Sequence, residues 1–224
     1  FIISFILVSN NLSFSNSKLD SLVSIGNEQS FQFEFKKANQ TFETIISQFP
    51  DSPLGYFYKS RNNLWRYLAN KDSLSKSNYL KYSNTALVKG ELEYDKQTKS
   101  ALTNFNLGNI YLLESIYNST VQNTMDAFWA TKKAVSLFET AIELDSSNSG
   151  AFLGLGTIKY ALGFVPGFLG WAISIAGLDG EKSEGLSLIF KAYQKSNGSN
   201  IEASYHLGKI YTEFSAEYEK AEFH

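Results

Sequence analysis

Two stretches of the chain are near copies of one another: Asn106-Leu107-Gly108-Asn109-Ile110-Tyr111 and His206-Leu207-Gly208-Lys209-Ile210-Tyr211. A third copy, Leu155-Gly156, lies between them, with Tyr160 one place late. Words that recur at long spacing belong to stacked helical hairpins, in which each unit buries its apolar face only against its neighbours. The small residue in each word marks a place where one helix is crossed so closely that a larger side chain would not fit. The full ladder of such residues runs Gly26, Ser60, Gly108, Gly156 and Gly208, in steps of 34, 48, 48 and 52.

The first step equals the period of the tetratricopeptide (TPR) hairpin, a pair of helices, A and B, in about 34 residues. In the first unit Leu22, Ile25 and Gly26 supply helix A, Ala38, Phe42 and Ile45 supply helix B, and Pro50 stops it. Gly26 to Ala38 and Ala38 to Pro50 are each 12 residues. In the third unit Gly108 is followed by Ala134, Phe138 and Ala141, a gap of 26 instead of 12, and Ser60 to Ala86 is also 26. Thus 14 residues are added within two hairpins and none between them. Seven residues make roughly two helical turns. The spacing therefore predicts two turns added to each helix, with a short polar turn within Asn118–Thr124.

Punctuation agrees with an all-α chain. Phe49-Pro50-Asp51-Ser52-Pro53 ends one helix and opens the next, with Pro53 at a first-turn position where its missing N–H is harmless. Leu144–Asn148 and Ser196–Asn200 are the equivalent turns further on, and no stretch alternates as a strand would. These marks divide residues 18–224 into hairpins of about 18–50, 53–94, 96–145, 148–196 and 200–224, the last truncated.

Composition narrows the chemistry. Lys and Arg number 20 against 22 Asp and Glu, without concentrated basic clusters, which argues against a nucleic-acid partner. Zero cysteines rule out disulfides, thiol nucleophiles and thiolate metal sites. At the start, Phe1-Ile2-Ile3-Ser4-Phe5-Ile6-Leu7-Val8 is apolar and Ser9–Ser17 is small and polar. This pattern reads as the remnant of a signal peptide and its cleavage zone in 1–17, against a short buried helix or strand as the alternative. The expectation is an exported protein, periplasmic or cell-envelope associated, and a fragment at both ends.

The fourth unit carries an apolar insert over 161–181. Ala161–Leu178 has no charged residue, but Pro166 and four glycines interrupt it. Its length sits at the edge of a membrane span. The interruptions favour an insert packed on the solenoid, with a membrane-facing or partner-facing patch of Phe164, Phe168 and Trp171 as the lesser alternative.

The ladder resembles the TPR family from about Leu22 onward. Val165-Pro166-Gly167-Phe168-Leu169, Gly177-Leu178-Asp179-Gly180-Glu181-Lys182, Glu184-Gly185-Leu186 and Ala192 resemble, more narrowly, the Iml2/TTC39-type TPR family and its bacterial relatives. In that family an aromatic stands at the place of Leu178, and Asp-Arg at the place of Glu181-Lys182. The resemblance implies a right-handed TPR-like solenoid of antiparallel helix hairpins, some elongated, with no enzymatic activity and no cofactor.

Catalytic constellations are thin. His206 lies inside the helix-A word and reads as a helix-surface histidine before a general base, and His224 is terminal. Gly163, Gly167 and Gly170 lack the Lys-Ser/Thr of a phosphate loop. Glu91 and Glu93 read as a solvated face, and Trp65, Trp129 and Trp171 as gap fillers between helices. No metal-ligand set is present in the pattern.

TPR arrays bind extended segments in a concave groove lined by A helices. If the resemblance holds, the lining lies three before, one after and four after each ladder residue. These positions are Phe57, Arg61 and Leu64; Phe105, Asn109 and Leu112; Leu153, Thr157 and Tyr160; and Tyr205, Lys209 and Thr212. The candidate groove residues are Phe57, Arg61, Asn109, Leu112, Tyr160, Tyr205 and Lys209. The resulting expectation is a non-enzymatic scaffold holding a peptide or partner protein. The alternative is a small-molecule, lipid or membrane contact through residues 161–178.

Overall fold

A computed structural model describes residues 17–165, 177–178, 180–195, 201–214 and 220. The described helices are α1 (Ser17–Phe31), α2 (Phe35–Gln48), α3 (Leu54–Asn70), α4 (Ser73–Lys96), α5 (Ala101–Thr120), α6 (Thr124–Leu144), α7 (Ser149–Leu162), α8 (Lys182–Lys195) and α9 (Ile201–Lys209). A π-helical turn, Ile210–Phe214, continues α9. No strand occurs among the described residues. Each helix packs on the next in sequence, and the A helices also meet one another (α1 with α3, α3 with α5, α5 with α7). The chain is an all-α, TPR-like solenoid whose A helices form the inner layer.

The helix lengths account for the 14 added residues. Past their ladder residues α1 runs five further, α3 ten and α5 twelve; before Ala38, Ala86 and Ala134 the B helices run three, thirteen and ten. Hairpin three therefore gains seven residues on each helix. Hairpin two gains five on α3 and ten on α4, and its turn, Lys71-Asp72, is one residue shorter than the other two. The elongation is therefore symmetric in one hairpin and skewed toward helix B in the other. From Ala38, Ala86, Ala134 and Gly185 each B helix runs ten more residues to its end.

The ladder is steric. A Cβ on Gly26 would lie 2.2 Å from the Phe42 ring, and one on Gly108 2.9 Å from Phe138. Phe138 is also met by Gly154 of α7, where a Cβ would lie 2.5 Å from Cζ, so one ring locks hairpins three and four together. In the fourth unit backbone meets backbone: a Cβ on Gly185 would lie 2.3 Å from the Tyr160 nitrogen. Gly163 and Gly180 lie as close to Lys182 and Leu162, whose Cγ and Cβ are the nearest atoms, so the end of α7 and the approach to α8 are tightly joined.

Caps and turns complete the hairpins. Asp72 accepts from the Ser75 amide (2.7 Å), which holds its carboxyl below the usual range, and Ser100 and Asn148 cap α5 and α7 in the same way. The tight turns of the first three hairpins each place one non-glycine residue in the left-handed region: Phe33, Lys71 and Gln122.

The two layers differ in burial. B helices bury one stripe, as in Ala38, Phe42 and Ile45 of α2. The A helices are covered all round: Phe57–Leu64 of α3, Thr103–Leu113 of α5 and Ser149–Ile158 of α7 are continuously buried.

Candidate functional site

The inner layer is closed by its own side chains. Arg61 is 0% exposed, with its guanidinium carbon 4.6 Å from the Trp65 ring and 4.7 Å from that of Tyr58. Arg61 donates to Asn27 Oδ1 (2.6 Å) and lies 3.9 Å from the carboxylate of Glu202, itself 1% exposed, on α9. Burial pulls the Arg61 pKa down and Glu202 opposes the shift, while burial pushes the Tyr58 hydroxyl up. Beside them Asn62 donates to Ser30 Oγ (3.0 Å), which in turn donates to the Gly26 carbonyl (2.8 Å). The second and fifth A helices thus meet across the concave side.

This closure places most of the groove candidates in the interior. Phe57, Arg61, Asn109, Leu112 and Tyr160 are buried, as are Leu64, Phe105, Leu153 and Thr157 from the same positions. The Thr157 hydroxyl returns to its own helix, donating to the Leu153 carbonyl (2.8 Å). Of the fifth set Tyr205 and Thr212 are exposed, whereas the Lys209 side chain is largely buried and lies 3.3 Å from Glu213 one turn on. His206, expected on a helix surface, is buried, because Glu202, Ala203, His206, Leu207 and Ile210 form the inward stripe of α9 and its continuation.

The insert candidates separate. Phe168 and Trp171 lie outside the described residues, as do residues 1–16 of the expected leader. Phe164 is half-buried, edge-on to Tyr160 (5.3 Å) and covered by the Lys182 ammonium 3.6 Å above its ring. Leu178 is core. No helix among the described residues is long and apolar enough to cross a membrane, and none of their His, Asp and Glu side chains gather as a metal site.

On the opposite side the hairpins leave a cleft of about 490 Å³. Its walls are α4 (Glu91, Tyr94, Asp95) and α6 (Lys133, Ser136, Leu137), and its floor is α5 (Leu107, Tyr111). The Lys133 ammonium donates to the Tyr111 hydroxyl (2.8 Å), sits 4.5 Å from that ring's centre and lies 3.9 Å from Glu91. The Tyr111 hydroxyl donates in turn to Glu91. Burial and the Glu91 carboxylate push the Tyr111 pKa up, so the phenol stays protonated. Glu114, one turn along α5 from Tyr111, is pushed up to about 7 by burial and then by the charges of Glu91 and Asp126, with Lys133 opposing.

Exposed apolar side chains adjoin the cleft. Val88 shares a face of α4 with Glu91 and Asp95, and Trp129 shares a face of α6 with Lys133; they are 58% and 53% exposed. Trp129 is therefore no gap filler, whereas Trp65 packs on Arg61 and Phe31. The reading of Glu91 and Glu93 as a solvated face also fails in part. Glu91 belongs to the cleft, and the Thr103 hydroxyl points at half-buried Glu93, whose carboxyl burial pushes up.

The architecture and its inner layer define a TPR-like helical-repeat protein. No family model matches the chain, and no curated protein sequence matches it. Among solved structures, a thermophilic TPR protein from Thermus thermophilus aligns with 92% of this chain and 100% of its own, at 12% identity and a TM-score of 0.47.

Proposed function

We propose that this chain is a non-enzymatic scaffold that holds a protein partner on its outer surface, along the cleft between α4 and α6. The observation that carries this reading is the contrast between the two faces. The inner layer is filled by Arg61, Glu202 and the buried A-helix side chains. The outer cleft is open to solvent, and exposed Val88 and Trp129 stand on the same helix faces as its lining residues. A partner helix or strand lying along it would bury both apolar side chains beside a fixed polar centre, the usual anatomy of a binding hot spot. The peptide-in-the-concave-groove reading is correspondingly disfavoured, because a ligand there would have to displace a buried ion pair. The Iml2/TTC39-type kinship belongs to the same proposal and rests on the sequence words at 165–192.

Photo-crosslinking tests the reading. A photoreactive side chain at Ser136, exposed in the cleft, is compared with one at Gln40, exposed on α2, in extracts of the native cells. The proposal expects a discrete adduct from Ser136 that disappears in the Val88→Asp/Trp129→Asp variant. Equal adducts from both positions, or an adduct indifferent to that variant, would refute it.

A further inference from the structure

We propose that the place now filled by the Lys133 ammonium is a recognition subsite for a lysine or arginine side chain of the partner. This inference rests on the outer-cleft reading and names the chemistry the cleft selects. The receiving half of the site is built into the core: Tyr111, 6% exposed, is held on α5 with its hydroxyl donating to Glu91 and its oxygen accepting from the ammonium. A phenol oxygen and a carboxylate converging on one point favour a charged donor over an acceptor or an anion.

The present occupant is held by one hydrogen bond to Tyr111 and one exposed ion pair. The Lys133 side chain is 58% exposed and that of Glu91 47%, so their contact at 3.9 Å is a solvent-screened pair of small worth. Lys133 therefore acts as an internal surrogate that a partner's cation can replace while its own flexible stem swings into water. Charge points the same way. Asp95 lines the cleft, and Glu114 and Asp126 stand behind it. Among the lining residues Glu91 and Asp95 face Lys133 as the one base, so the cleft carries an excess of negative charge that favours a cation over an anion.

The test uses the full chain and n-butylammonium as the probe, with butyrate as its anionic counterpart. The Tyr111 ring resonance is followed by NMR and assigned with Tyr111→Phe. In Lys133→Met the subsite is vacated, and butylammonium is expected to shift the Tyr111 resonance saturably. In the wild-type chain, where Lys133 competes, binding is expected to be about three- to tenfold weaker, the scale of one hydrogen bond plus one exposed ion pair. Glu91→Gln in the Lys133→Met background is expected to weaken binding by about three- to fivefold, and butyrate to leave Tyr111 unmoved. Absent or non-saturable shifts with butylammonium in Lys133→Met would overturn the proposal, as would tighter binding of butyrate to the wild type. A crosslink at Ser136 without butylammonium binding removes the cation subsite and keeps the docking surface. Butylammonium binding without the crosslink does the reverse.

Discussion

Gly154→Ala places a methyl group where α7 crosses the ring of Phe138, and the structure gives the outcome a sign that depends on that ring. The new Cβ would lie 2.5 Å from Phe138 Cζ and 2.7 Å from Cε2. Gly108 crosses the same ring, with its own Cβ position 2.9 Å from Cε1, so the α5 backbone limits how far the ring can shift. Overpacking of this kind costs about 1–3 kcal/mol, against a gain of about 1 kcal/mol for replacing a mid-helix glycine by alanine. The net expectation is a loss of up to about 2 kcal/mol. In a Phe138→Leu background the three nearest ring atoms are gone, and the same Gly154→Ala should stabilise by up to about 1 kcal/mol. The coupling between the two positions is then about 2 kcal/mol, within the range for residues in contact. Urea unfolding followed by circular dichroism at 222 nm measures each corner of the cycle, with constant m-values confirming that stability alone has changed. An equal effect of Gly154→Ala in both backgrounds would refute the claim that one ring locks two hairpins.

Arg61→Met should cost about 3–5 kcal/mol by removing one partner of the buried Arg61–Glu202 pair, whereas Arg61→Met/Glu202→Gln should recover part of that loss. Equal losses in single and double variants, by thermal or urea unfolding, would show that the two groups do not meet. Glu114 binds its proton more tightly folded than unfolded, so its contribution is full below the ordinary carboxylate range and is lost as pH rises through about 7. Glu114→Gln should flatten the fall in stability between about pH 5 and 8 and raise stability at the upper end by about 1–2 kcal/mol. An unchanged slope contradicts the burial assigned to that carboxyl. Gln122→Gly should stabilise hairpin three by up to about 1 kcal/mol, since Gln122 occupies the left-handed region at the turn. A destabilisation there would mean that the turn owes more to the glutamine side chain than to its backbone.

The ladder was legible in the sequence because close crossing is a local steric demand: Gly26, Gly108 and Gly156 stand alone as the residues that fit, whatever surrounds them. The elongation was legible because helix length is additive along the chain, although its uneven split in hairpin two was not; nothing between Ser60 and Ala86 marks Lys71-Asp72 as sharply as a glycine would. The closure of the inner layer was invisible for a different reason. It depends on the accumulated curvature of the repeats, which brings Arg61 to within 3.9 Å of Glu202 across 141 positions of sequence. The cleft was missed because Glu91, Tyr111 and Lys133 lie on three helices and carry no spacing motif. Glu91 stands five past Ala86 and Lys133 one before Ala134, so even the repeat register does not place them at equivalent positions. Trp129 and His206 were misplaced because residue type was weighed without that register.

The chain contains no cysteine, so a single introduced thiol reports on one place only. Thr157→Cys puts a near-isosteric thiol in the inner layer, and Ser136→Cys puts one in the outer cleft. The comparison of their maleimide labelling rates under native conditions goes straight to the claim that the inner face is filled and the outer cleft is open. The account predicts that Ser136→Cys labels at close to the rate of a free thiol and Thr157→Cys at least about a hundredfold more slowly, limited by local opening. Comparable rates at the two positions would contradict it.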